Sequence, residues 1–402
     1  MSPGRGVEFF DGNEVATVAE IDDARIFDTT LRDGEQAARV SFTYEDKREI
    51  AAVLDEMGTH VIEAGFPVNS EAEFEAVHDI AGACETTVCG LARVVEDDVE
   101  AALDAGVDMV HVFASTSDVQ LADSMHSTRD AVERRSVEAV ERVAEAGVEC
   151  MFSPMDATRT EPAFLAEMVE AVSSAGADWI NIPDTVGVCT PKRMGELVEF
   201  VGEHTDAAID VHCHDDFGMA TANAVAGIEA GAAQAQVSVN GIGERAGNAA
   251  AEEVVMALES VYGIDTGIDT TRFVELSSLV ESRSEVSVPR NKPVVGENAF
   301  SHESGIHAAG VIENAETFEP GVMTPEMVGA ERAFVLGKHT GTHSVRKHLR
   351  EAGYDPTDEQ VREVATRVKS YGATEGEVTA EVVDRFASEV DVDRRRVHEG
   401  PI

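Results

Sequence analysis

Eight times between residues 25 and 265 the sequence passes from a short β-rich run into a stretch with helical periodicity that closes on a turn signal such as AG or DAG. This alternation is the pattern of consecutive βα units. The strand candidates are RIFDTT from Arg25, HVIEAGF from His60, TTVCGLAR from Thr86, MVHVFAST from Met109, VECMFS from Val148, WINIP from Trp179, IDVHCH from Ile209 and AQVSVN from Ala235. Eight units at this spacing predict a closed (β/α)8 TIM barrel over residues 25–265 rather than an open doubly wound sheet. Residues 1–24 read as an extension with little pattern of their own. Residues 266–402 read as a mainly helical C-terminal appendage, with amphipathic stretches near 342–352 and 357–370. Gly241 and Gly243 follow the eighth strand, but no acidic ribose-binding residue follows a next strand, which argues against a dinucleotide site.

Charge narrows the list of partners. The chain carries 77 acidic against 31 basic residues, a formal net charge of −46. Such a surface repels nucleic-acid phosphates and anionic membranes, which leaves a small molecule as the expected partner. The acids are spread along the whole chain, and Arg far outnumbers Lys. This is the composition of a salt-adapted, halophilic surface; recruitment of basic partners is the competing reading. The five cysteines form no CxxC pair, so neither a disulfide framework nor a thiolate zinc site is expected. No stretch of 18 uncharged apolar residues occurs and the N-terminus has no apolar h-region, which together predict a cytoplasmic protein.

The densest chemistry lies at strand ends. In VHCHDDFG, period-two alternation turns His212 and His214 to one face and Cys213 to the other, and in a closed barrel that face opens into the C-terminal mouth. The first strand ends in DTTLRDGEQ, which puts Arg32, Asp33, Glu35 and Gln36 in the first βα loop, and the eighth ends in VNGIGERAGN. Strands one, seven and eight are neighbours in a barrel, so Asp33, His212 and His214 are expected around one divalent cation, with Asn248 as a further or water-mediated ligand. Two imidazoles and a carboxylate suit a Lewis-acid metal and equally a non-haem iron oxygenase. Arg32 is placed to steady negative charge on a reacting oxygen. His302 and His307, from NAFSHESGIHAAG, include a candidate general base, or serve only to dock the appendage.

Two long motifs carry a resemblance. LRDGEQ, Leu31 to Gln36, is followed after ten residues by Lys47, and Ile209 to Gly218 reads as an apolar residue followed by xxHxHDDxG. From about Arg25 to about Gly353 the chain resembles the 2-isopropylmalate, homocitrate and citramalate synthases, which condense acetyl-CoA with a 2-oxoacid. The resemblance implies Asp33, His212 and His214 as ligands of Mg, Mn, Zn or Co, with Asn248 at the edge of the site. It further implies Arg32 beside the developing alkoxide, His307 as the base that deprotonates the acetyl methyl, and a homodimer in which the segment bearing His307 enters the partner's barrel. His111, Ser153, Asn181 and Pro183 resemble the wall of a branched apolar side-chain pocket, Thr185 the holder of the substrate carboxylate, and Gln36 a further substrate contact.

The preferred acceptor implied is 3-methyl-2-oxobutanoate. Pyruvate ranks second, and 2-oxoglutarate third, because the positions that bind its distal carboxylate in homocitrate synthases read Cys89 and Met151 here. Two departures from the pattern stand out. Met155 occupies a position that is usually glutamate, with alternation turning the adjacent Asp156 away, and the chain stops near where a regulatory domain usually begins. A metal-dependent lyase related to hydroxymethylglutaryl-CoA lyase is the competing enzyme class, although the loop NGIGERAGN lacks the cysteine that lyase uses. A metal-stabilised scaffold without chemistry is the competing non-enzyme class.

Overall fold

The β-rich runs become eight parallel strands: β1 (Arg25–Asp28), β2 (Val61–Gly65), β3 (Thr87–Arg93), β4 (Met109–Ser115), β5 (Glu149–Met155), β6 (Trp179–Asp184), β7 (Ala208–Cys213) and β8 (Gln234–Val237). Each pairs with its successor and β8 pairs back to β1, so the barrel closes. The computed structural model describes residues 23–303, 322–376 and 378–394. Every strand is followed by at least one helix before the next begins, from Tyr44–Glu56 after β1 to Ala251–Ala257 after β8. The expected (β/α)8 architecture is therefore the one observed.

Because side chains alternate along a strand, each strand sends every second residue into the barrel, and the inward residues stack in layers. Low in the barrel these are apolar: Phe27, Val61, Cys89, Met109, Met151 and Trp179 form one buried cluster. Two residues further along the even strands the character changes to Glu63, His111, Asn181 and Gln236, all buried. Hydrophobic burial thus holds the lower barrel, while the upper layers are polar and satisfied largely by one another.

The compact unit built on the barrel extends to Val288. The added helix, Phe273–Ser284, buries Phe273, Leu276 and Val280, and Arg283 reaches Glu49 and Asp46 of the first helix. Residues from 289 onward form a second unit. Its helices Thr342–Glu351, Asp358–Thr374 and Ala380–Glu389 enclose Val345, Leu349, Val361, Val364, Val368 and Phe386. A short parallel pair, Ser301–His302 with Ala333–Phe334, belongs to the same unit. Among the described residues no helix is long and apolar enough to cross a membrane.

Candidate active site

At the C-terminal mouth of the barrel lies a cavity of about 180 Å³. Ten of the residues singled out from the sequence line it: Arg32, Asp33, Gln36, His111, Ser153, Asn181, Pro183, Thr185, His212 and His214. Asn248 stands just behind, its Nδ2 donating to Asp33 Oδ2 at 2.7 Å. His307 lies outside the described residues. Cys89 and Met151 do not face the cavity as expected. They sit fully buried in the apolar layer below it, and the next inward residues of their strands, Leu91 and Ser153, line the wall instead.

Three elements bring the proposed ligands together. Asp33 sits on the first turn after β1, where its backbone N–H and that of Gly34 both donate to the Thr29 carbonyl. His212 is the penultimate residue of β7, and His214 follows the strand directly. Ligand atoms of Asp33, His212 and His214 all lie within 4.8 Å of one another, and all three residues are buried. Burial and the neighbouring imidazole push the His212 pKa down to about 3, and burial lowers that of His214. Burial alone would raise the Asp33 carboxyl, but the Arg32 guanidinium and the two imidazoles outweigh it and hold it below the ordinary range. The site therefore offers one carboxylate and two neutral rings, the protonation states a cation needs.

Two further observations fit a cation. Asn248 Oδ1 is buried without a hydrogen-bond partner, a state that costs free energy unless something binds there. The loop carrying Asn248 is also shaped for close approach. A Cβ on Gly243 would meet the Asn248 side chain at 2.7 Å, and one on Gly247, at φ +94°, would meet the Gly241 carbonyl at 1.9 Å. Backbone bonds from Asp215 N to Gly247 O and from Ala249 N to Cys213 O tie that loop to the end of β7.

The rest of the site is organised by a residue that sequence reading passed over. Glu63 on β2 is fully buried and accepts from Thr29 Oγ1 at 2.6 Å, Arg32 Nε at 2.6 Å and His111 Nδ1 at 2.7 Å. Arg32 in turn donates from Nη1 to Asp33 Oδ1 at 2.7 Å. Burial alone would raise the Glu63 carboxyl, yet Arg32 and His111 hold it far below the usual range. His111 Nε2 faces Ser153 Oγ at 2.6 Å. The signal available in the sequence was a lone acid inside the apolar run VIEAG.

Lys47 shows why it accompanies LRDGEQ. Almost wholly buried, its ammonium binds Glu35 at 2.8 Å and Glu73 at 2.7 Å, and Glu35 also accepts from Phe42 N, which clamps the loop that bears Arg32 and Asp33. Thr185 Oγ1 accepts from Asp156 N at 2.8 Å, which leaves its hydroxyl proton free to donate into the cavity. Asp156 itself is turned away, as alternation requires, with its carboxylate on Arg159 and Ser117, while Met155 lines the cavity. Leu91, Phe113, Gln236 and Glu244 are lining residues that the sequence reading did not name.

The comparisons with known proteins agree with this geometry. Residues 23–280 match the HMGL-like family model, and residues 294–376 match the homocitrate synthase post-HMGL domain-like model. Three relatives come from Methanopyrus kandleri. A probable 2-isopropylmalate synthase is 54% identical over 87% of this chain and 70% of its own length. A putative (R)-citramalate synthase is 50% identical over 92% and 73%. A homocitrate synthase is 48% identical over 92% and 93%. Among solved structures, the HMG-CoA lyase of Bacillus subtilis shares the fold at a TM-score of 0.60 and 22% identity, covering 67% of this chain and 96% of that one. The chain belongs to the HMGL-like family, in the group of 2-isopropylmalate, citramalate and homocitrate synthases.

Proposed function

We propose that the chain joins the acetyl group of acetyl-CoA to 3-methyl-2-oxobutanoate, releasing 2-isopropylmalate and free CoA. The observation that carries this choice of acceptor is the wall of the cavity. Leu91, Phe113, Met155 and Pro183 supply apolar surface, and the one Arg or Lys among the lining residues, Arg32, is already bonded to Glu63 and Asp33. A distal carboxylate, as in 2-oxoglutarate, would be desolvated there without a partner. No cysteine is among the lining residues, which disfavours thiol-assisted cleavage.

Asp33, His212 and His214, with Asn248 behind, would hold a divalent ion, and that ion would supply Lewis-acid chemistry at the ketone. Thr185 donates its hydroxyl to the substrate carboxylate. The base, assigned to His307 by resemblance, takes a proton from the acetyl methyl; the enolate carbon bonds to the ketone carbon, and the ketone oxygen gains its charge beside Arg32. Water then adds to the thioester and CoA leaves as the thiol. Because that resemblance has the segment of His307 entering a second barrel, the active form is inferred to be a homodimer.

The test is thiol release from acetyl-CoA in high KCl with pyruvate, 3-methyl-2-oxobutanoate and 2-oxoglutarate as acceptors. The branched acid is expected to give the highest kcat/KM. Pyruvate is the second reading, since an apolar wall discriminates methyl groups by only about 1–3 kcal/mol each and one relative is named for citramalate synthesis. Preference for 2-oxoglutarate would overturn the proposal.

A further inference from the structure

We propose that Gln236 is the positioning residue that fixes His212 in its metal-binding tautomer, and that Asp210 in turn fixes Gln236. This inference rests on the metal reading given above. In the β7–β8 register His212 lies directly across from Gln236, so both point into the barrel at one level, while Asp210 lies one inward step lower on β7. All three are buried, at 6%, 1% and 0% exposure.

A primary amide has one donor end and one acceptor end. Gln236 Nε2 donates to Asp210 Oδ2 at 2.6 Å, with Met151 Sδ at 3.4 Å as a weaker second acceptor. Its Oε1 is therefore turned up toward His212 Nδ1, at 2.9 Å. An amide oxygen only accepts, so the ring proton sits on Nδ1 and the Nε2 lone pair is left facing His214 Nε2 at 3.2 Å and Asp33 Oδ2 at 3.6 Å. Rotating the amide by half a turn would set its oxygen against the Met151 sulfur and present NH2 to Nδ1. The ring proton would then move to Nε2 and close the ligand face. Metal-bound imidazoles generally lean on such a partner at the other nitrogen; here the partner is an amide with an anchor of its own.

The decisive experiment titrates metal-free protein with Mn²⁺, reading free ion by electron paramagnetic resonance, and follows the His212 ring nitrogens by 15N NMR. Gln236→Met keeps the length and apolar stem while losing both hydrogen bonds, and is expected to weaken Mn²⁺ binding by about 10- to 100-fold with mixed tautomers at His212. Asp210→Asn keeps the shape but can offer NH2 to Gln236, so it tolerates the rotated amide; a smaller loss with the same mixing is expected, and this variant carries the test if Gln236→Met does not fold. Wild-type affinity together with an unchanged Nδ1–H tautomer in the folded variants would overturn the proposal while leaving the metal site intact. Failure of the wild-type chain to bind Mn²⁺ would overturn the metal reading itself, and this inference with it.

Discussion

Glu63→Gln is the substitution whose consequences the structure defines most fully. The amide that replaces the carboxylate can still accept from His111 through its oxygen. Its NH2 then faces Arg32 Nε–H and Thr29 Oγ1–H, setting donors against donors around a side chain with no exposure. Removing one partner of a buried ion pair costs about 3–5 kcal/mol, and each kcal/mol moves the midpoint of a unit this size by about 2–4 °C, so Tm falls by roughly 10 °C. If Arg32 has the role proposed for it, releasing it from Glu63 should lower kcat by about 100-fold, the scale seen when one oxyanion donor is lost. The acid limb supplies an independent check. The folded Glu63 lies below its unfolded value of about 4.3, so its contribution is complete above that pH and fades as pH falls through the lower folded value. The variant should lack that part of the acid destabilisation. Calorimetry and steady-state kinetics in high KCl across pH decide the matter; a Tm within a degree or two of wild type with unchanged kcat would refute the role given to Glu63.

Three further outcomes are expected. Lys47→Met leaves Glu35 and Glu73 unpaired beneath the first βα loop; both reach some solvent, so the cost is roughly 2 kcal/mol by denaturant titration, and Mn²⁺ affinity should drop as Asp33 loosens, whereas unchanged affinity would show that the clamp does not reach the metal site. His307→Ala should abolish turnover while metal content by elemental analysis stays at wild-type level; loss of metal would instead make His307 a ligand. With a net charge of −46, the chain should melt progressively lower as KCl is removed, and a Tm independent of salt would contradict the reading of its surface as salt-adapted.

The barrel was legible because strand and helix periods differ and each unit closes on its own turn residues, so eight local signals agree. The clustering of Asp33, His212 and His214 was legible for a similar reason: an HxH at a strand end and an acid after β1 become neighbours once the barrel closes. Helix Phe273–Ser284 was not legible because it follows irregular sequence and is held by packing that no local pattern announces. Glu63 and Gln236 were missed because each occupies a single position in a strand otherwise read as core, and their importance comes from partners 31 to 48 residues away for Glu63 and 24 to 26 for Gln236. Cys89 and Met151, which stand at the positions that hold a distal carboxylate in homocitrate synthases, lie in the apolar layer, one inward step along their strands below the lining residues Leu91 and Ser153.

A single buried carboxylate binds both Arg32 and His111, so a substitution at either one changes the surroundings of the anion that the other uses. Any exchange at His111 to welcome a different acceptor would leave Glu63 Oε1 without that partner, beside the oxygen that Arg32 binds. Leu91, Phe113, Met155 and Pro183 carry no ionisable group, and their bulk can be trimmed or enlarged without disturbing that shared anion. New acceptor preferences in this scaffold should therefore be sought first among those four positions, where a change of shape leaves the charges that drive the chemistry in place.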